Sequence, residues 1–242
     1  LRSEPTANVT VKVASSKLSE ANINDNSLAF TPTNWNGAQT VIVTGVNDNV
    51  SDGDQQFAVL LGPDNTTTDL DYRFLDPADV SGTNIDDDSA GFLVSVLDDI
   101  LTETGDNASF TVQLASAPTA NVTLGLSSLD TGEGTLSAAN LSFGSGNWST
   151  VQTVTVVPVD DSLPDGPQDF LVRFTGDTST GDQRYRNRAP AALSFRTLDN
   201  ETAGFVVSSV SGKTDEDGTS ATFTVRLTSQ PTADVKVIVS ST

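Results

Sequence analysis

The amino-acid sequence repeats itself at a fixed offset of 113 residues, with no insertion or deletion between copies. Trp35 recurs as Trp148, Phe57 as Phe170, Tyr72 as Tyr185, Phe92 as Phe205 and Glu103 as Glu216. Pro5 recurs twice, as Pro118 and Pro231. Solenoid units run to roughly 20–50 residues, so a period this long describes a whole compact domain. The chain reads as a stretch of a tandem array. Positions that recur are those each module needs; positions that differ are free to vary or specialised.

Within one period the apolar pattern alternates with period two. Thr40-Val41-Ile42-Val43, Phe92-Leu93-Val94-Ser95-Val96, Phe110-Thr111-Val112-Gln113-Leu114 and Thr153-Val154-Thr155-Val156 are short, β-branched or aromatic runs broken by Gly, Pro, Asn or Asp. No segment of useful length carries a helical period. About seven short strands per module without helices imply tandem immunoglobulin-like antiparallel β-sandwiches. The segment Asp86-Asp87-Asp88-Ser89-Ala90-Gly91-Phe92 recurs as Asp199-Asn200-Glu201-Thr202-Ala203-Gly204-Phe205 and marks the module edges. The expected domains are 1–88, a module without its first strands; 89–201, a complete module; and 202–242, the first strands of a third. The linkers are two or three residues, too short for a flexible tether.

Composition narrows the chemistry. The chain has no Cys and no His, which removes disulfides, thiolate nucleophiles, imidazole bases and the usual zinc ligands. Twelve basic residues against 32 acidic ones give a net charge of −20. That charge repels nucleic acid and anionic lipid and attracts divalent cations. No apolar run approaches the ~20 residues of a membrane span, so no membrane insertion is expected in this segment.

The acids of the complete module fall in loops between strands: Glu103; Asp130 and Glu133; Asp160, Asp161 and Asp165; and Asp199-Asn200-Glu201. Glu103 follows a strand pointing the same way as the strand that Asp199 ends, so the two are expected to meet at one end of the sandwich. Carboxylates brought together repel unless a cation sits between them. Calcium suits such a site because it takes six to eight oxygens in irregular geometry. Neither Asp48…Asp52-Gly53 nor Asp161…Asp165-Gly166 matches an EF-hand loop, and each Asp-Gly also reads as a β-turn. A glycosidase or an aspartic dyad would need one carboxylate pair in a cleft. These multi-acid loops do not read that way, and the chain is expected not to be an enzyme.

The unit resembles the Calx-β domain over its whole length. The likeness rests on Ala90-Gly91-Phe92, the Thr-Glu-Thr-Gly loop around Glu103, Ala108-Ser109-Phe110-Thr111-Val112, Pro118-Thr119-Ala120-Asn121-Val122-Thr123, Asn147-Trp148, Val159-Asp160-Asp161 with Asp165-Gly166, and the final Asp199-Asn200-Glu201. The Asn-Trp and Pro-Thr-Ala-Asn-Val forms look like those of bacterial adhesin-type arrays. The resemblance implies calcium (Ca2+) held in the complete module by Glu103, Asp160, Asp161 and Asp199, with Asp130 and Asp165 as additions. In the first module the matching acids are Asp48, Asp52, Asp86, Asp87 and Asp88; in the third, Glu216. Asp130 is Lys17 and Asp160 is Asn47 in the first module, so fewer or weaker ions are expected than in the exchanger members of the family, down to none in one module.

These readings converge on a structural or adhesive extracellular module, a calcium-rigidified stalk or filament of a cell-surface protein. The expected partners are neighbouring repeats of the same chain. Two alternatives stay open: a module that itself binds a glycan or protein, and a subunit that polymerises head-to-tail with other copies by strand complementation. Trp35 and Trp148 are expected to anchor the core. Arg184, Arg186 and Arg188 would share one face if they lie on a strand.

Overall fold

A computed structural model describes residues 1–240. They contain strands, turns and bends but no helix, as the β-branched, turn-punctuated sequence requires. The chain divides into two compact units, Leu1–Ala90 and Gly91–Thr242.

Unit 2 contains a closed sandwich. One sheet has the order β11 (Gly134–Leu136), β13 (Gln152–Pro158), β9 (Ala108–Leu114), β7 (Phe92–Asp98). The other has the order β12 (Asn140–Phe143), β10 (Val122–Ser128), β14 (Gln168–Thr175), β15 (Leu193–Leu198), β8 (Ile100–Thr102). β7 and β8 are almost continuous in sequence yet belong to different sheets. The pairing with β9 shifts register between Val96 and Asp98, and after Asp98 the chain crosses to lie parallel to β15. Such an irregularity re-aims a strand at a sandwich edge.

The core follows from alternation. On β9, Ala108, Phe110, Val112 and Leu114 are all buried while the residues between them are not. Phe110 meets Phe174 edge-on at 5.7 Å and lies 6.0 Å from Phe195, which is 6.0 Å from Phe170. Each such pair adds about 0.5–1.5 kcal/mol beyond the area it buries. At the opposite end the buried Tyr185 hydroxyl accepts from Ser116 N–H at 3.2 Å and donates to the Ser116 carbonyl at 2.7 Å.

Unit 1 carries the same plan with fewer strands. β1 (Val9–Ser15), β3 (Ser27–Phe30), β5 (Gln55–Pro63) and β6 (Val80–Asn84) form one sheet in the order β3-β1-β5-β6. β2 (Ala21–Ile23) and β4 (Val43–Gly45) pair only with each other. After the sandwich of unit 2, β16 (Phe205–Val207) and β17 (Val225–Leu227) form a short antiparallel hairpin.

Two local expectations are corrected. Trp35 and Trp148 are only partly buried and lie outside the fully buried core. The preceding Asn shapes a turn: Asn34 Oδ1 accepts from Thr31 N–H at 2.6 Å, and Asn147 Oδ1 from Gly144 N–H at 2.7 Å. Arg184 and Arg186 lie in a turn over 183–187, and Arg188 follows it, so the three share no strand face. Arg186 Nε donates to the Thr178 carbonyl as Arg73 Nε does to that of Asn65, which braces the same loop in both units.

Candidate metal centre

The parallel pairing of β8 with β15 builds the site in unit 2. Thr102 lies opposite Leu198, and Glu103 N–H donates to the Leu198 carbonyl at 3.2 Å. Both strands therefore end at the same edge, Glu103 after one and Asp199-Asn200-Glu201 after the other. Asn200 N–H then donates to Glu103 Oε2 at 3.2 Å. The third contribution follows β13, whose end pairs with β11 at Gly134 opposite Pro158. Val159 N–H continues that pairing by donating to the Glu133 carbonyl at 3.2 Å. This sets Glu133 beside the Asp160–Asp165 loop.

Glu103, Asp161 and Glu201 thereby bring one carboxylate oxygen each within 4.8 Å of one another. Glu103 is buried, and Glu201 Oε2 is buried without a hydrogen-bond partner. Burial, with Glu103 and Asp199 at hydrogen-bonding range, pushes the Glu201 carboxyl up to about 7. Glu133 is likewise pushed up to about 7 by burial and by the charges of Asp165, Asp130, Glu103 and Asp161. At this spacing ionised carboxylates repel one another strongly. The arrangement must take up either protons or a cation. Its donors are all hard oxygens on loops, the set that calcium accepts.

The other expected residues divide by what their carboxylates touch. Asp160 stands at the rim, where its Oδ1 accepts from Asn200 Nδ2 at 3.0 Å. Asp130 and Asp165 are exposed and flank Glu133. Asp199 is turned toward the backbone, accepting from Gly166 N–H and Glu201 N–H, both at 2.6 Å. Those two donors hold its carboxyl below the usual range. Asp199 is thus a brace that fixes the loops carrying Asp161 and Glu201. Gly166, at φ 76°, supplies the left-handed turn that aims its N–H at the brace.

Unit 1 repeats the brace: Asp86 accepts from Gly53 N–H, with Gly53 at φ 80°, and from Asp88 N–H. Asp48, Asp52, Asp86, Asp87 and Asp88 line one small cavity of 20 Å³ together with Glu20, Asn47 and Asn84, about the room of a single water. Its electrostatics differ. Lys17, in place of Asp130, sets its Nζ 3.4 Å from Glu20 Oε1 and donates to Gln55 Oε1 at 2.7 Å. The Asn84 amide, with help from Lys17, holds Glu20 low, whereas its counterpart Glu133 is driven up. Asp88 is still raised, by burial and by Asp87, Asp86 and Asp48. Among the described residues no triplet like Glu103, Asp161 and Glu201 forms in this unit. Glu216 lies exposed in a turn after β16 and belongs to no such triplet.

The family model of the Calx-beta domain matches residues 21–89 and 135–201, more than half of the chain, in two segments one repeat apart to within a residue. The chain belongs to the Calx-β domain family. No curated protein matches it. Among solved structures, CBD12 from CALX1.2 is similar over 74% of this chain and 73% of that one, at 15% identity and a TM-score of 0.32. The calcium binding domain CBD12 of CALX1.1 is similar over 74% and 72%, at 16% and 0.31.

Both Calx-β segments end at their acidic triplets, and here the structure changes which of those acids reaches the centre. Glu201, not Asp199, presents its carboxylate to Glu103 and Asp161. The first residue of the triplet braces the loop through backbone donors, and the third reaches the centre. The repeat held a signal for this: position 201 is acidic in both Calx-β copies, as Glu201 and Asp88. Glu20 and Glu133 likewise recur and sit beside the acids in both units.

Proposed function

We propose that this chain is a calcium-binding, load-bearing segment of an extracellular stalk or filament, with a mechanical rather than a catalytic role. The observation that carries the reading is the convergence of Glu103, Asp161 and Glu201 from three separate loops within 4.8 Å. Calcium there would neutralise repelling charge and tie the first, middle and last loops of the sandwich together. The residues that would hold it are Glu103, Asp161 and Glu201, with Asp160 at the rim and Glu133, Asp130 and Asp165 beside them. Extracellular modules bind calcium at about 10⁻⁴–10⁻³ M.

The site lies where the chain passes to its next repeat. Glu201 immediately precedes Thr202, and Gln230 N–H donates to the Ser162 carbonyl, next to Asp161, at 2.7 Å. A cation that orders the Asp160–Asp165 loop would therefore also order this hand-over. Single-molecule pulling of the chain tests the proposal. The unfolding force of the unit 2 sandwich should rise in millimolar calcium and fall back in EGTA. An equal force in both would remove the mechanical role.

A further inference from the structure

The arginines of unit 2 lie on a loop that the metal centre leaves unused. Arg184, Arg186 and Arg188 are three of the chain's 12 basic residues, all exposed and within five positions, in a chain of net charge −20. They belong to the connection from β14 to β15, residues 176–192, which carries no strand of its own. Connections of this length are uncommon in compact domains and concentrate function. The acids of the same loop do not neutralise them. Asp177 Oδ1 accepts from Ser179 N–H at 2.7 Å and Thr180 N–H at 3.0 Å, and its Oδ2 from Thr123 N–H at 3.1 Å. Asp182 is buried and accepts from Thr119 N–H and Arg184 N–H, both at 2.8 Å. Both carboxylates are committed to the backbone, and neither pairs with the guanidinium of Arg184 or Arg186.

The arrangement is particular to this unit. Unit 1 has Asp71, Arg73 and Leu75 at the matching positions, and its Arg73 lies over the Phe74 ring at 5.4 Å. In unit 2 the residue matching Phe74 is Asn187, at φ 59°, the one non-glycine residue in the left-handed region among the described residues. Its surroundings hold it there: Asn187 N–H donates to the Asp177 carbonyl at 2.9 Å, and Arg188 N–H to the Tyr185 carbonyl at 3.1 Å. Backbone kept in such a conformation clusters at ligand sites.

Asn187, Arg188 and Pro190 line a cavity of 300 Å³ together with Gly91 and Phe92. The Phe92 ring is fixed edge-on by Tyr185 at 5.9 Å and by Phe143 at 6.4 Å. The volume is at the lower end for a small-molecule site, room for one sugar ring. The lining supplies what a sugar acid needs: apolar rings for its C–H face, an amide for its hydroxyls, and a guanidinium whose planar fork matches a carboxylate. The net charge repels densely charged polymers such as nucleic acid, which leaves a chain with one charge per ring as the fitting anion.

We propose that this cavity binds a uronate residue of an acidic polysaccharide. Arg188 takes the carboxylate, Asn187 the ring hydroxyls, and Phe92 with Pro190 the apolar face of the sugar. Arg184 and Arg186 attract the neighbouring carboxylates of the polymer. The site adds a ligand to unit 2 and does not rest on the calcium centre.

Isothermal titration of oligogalacturonate into the whole chain tests it, in EGTA so that no metal bridges sugar and protein. Saturable binding that weakens with added salt is expected. The same oligomer with its carboxylates reduced to alcohols should bind about tenfold more weakly or worse. Arg188→Gln and, separately, Asn187→Gly should each lower affinity about tenfold or more while the melting of unit 2 stays unchanged, since glycine adopts the Asn187 backbone freely. No binding at millimolar oligogalacturonate, equal binding of the reduced oligomer, both variants binding as the parent does, or tighter binding of a densely sulfated oligosaccharide would overturn the proposal. A chain that ignores calcium yet binds the oligomer would count against the calcium-binding stalk and leave this inference standing.

Discussion

Asn200 N–H donates to Glu103 Oε2 across 97 residues of chain, joining the first loop of the sandwich to its last. The bond exists because β8 and β15 run parallel and end at one edge. It places Glu201 against Glu103 and makes a metal-free centre electrostatically expensive.

Removing one charge should therefore have opposite effects in the two media. Glu201→Gln should raise the melting temperature of unit 2 in EGTA, since it relieves repulsion around a buried oxygen. In calcium the same variant should lose most of the metal-induced gain, which for a saturated single site reaches about 2.7 kcal/mol at a hundredfold excess over Kd. Differential scanning calorimetry in both media checks the crossing.

The pH dependence follows from Glu133 and Glu201, both raised to about 7 from an ordinary 4.5. The folded state holds protons that the unfolded chain has already released, so stability in EGTA should fall as pH rises from about 4.5 to about 7, then level off. The lowered Asp199 acts in the opposite sense but below that window, where stability is lost as pH drops through its folded value. In saturating calcium the decline toward pH 7 should vanish, and calcium affinity should weaken on acidification because protons compete for the same oxygens. Melting curves from pH 4 to 8 read this directly.

Asp199 and Glu201 should behave differently on mutation. Asp199→Ala strands two backbone donors, on Gly166 and Glu201, and should lower stability even without calcium. Glu201→Gln should carry no such cost. Urea melts in EGTA separate a brace from a ligand.

How far the sequence reveals this site is clear from these two residues. The alternation on β9, the turn signals and the 113-residue period all express local chemistry, so the sandwich plan was legible from them. The matching direction of the strands before Glu103 and Asp199 was legible too. Which member of the triplet reaches the centre depends on how Asp199 caps Gly166, a contact over 33 residues that no local pattern encodes. The arginine stripe misled for a related reason. Its alternate spacing suits a strand, but the chain there turns, with Asp182 Oδ1 accepting from Arg184 N–H at 2.8 Å and Asn187 at φ 59°.

Lys17 offers a test confined to unit 1. Lys17→Asp would recreate the Asp130 arrangement beside Glu20 and should destabilise unit 1 in EGTA, since it removes the cation beside that carboxylate and adds a like charge. Calcium should recover part of that loss in the variant and have less effect on the parent unit. Chemical denaturation followed by Trp35 fluorescence, with Trp148 replaced by Phe, isolates the response.

Isothermal titration of calcium into the whole chain, alongside its Glu103→Gln and Glu201→Gln variants, tests the central claim most directly. The account predicts saturable binding in the range of about 10⁻⁴–10⁻³ M or tighter, with proton release near pH 7 and at least a tenfold loss of affinity in each variant. Absence of binding heat at millimolar calcium, or variants that bind as well as the parent, would contradict it.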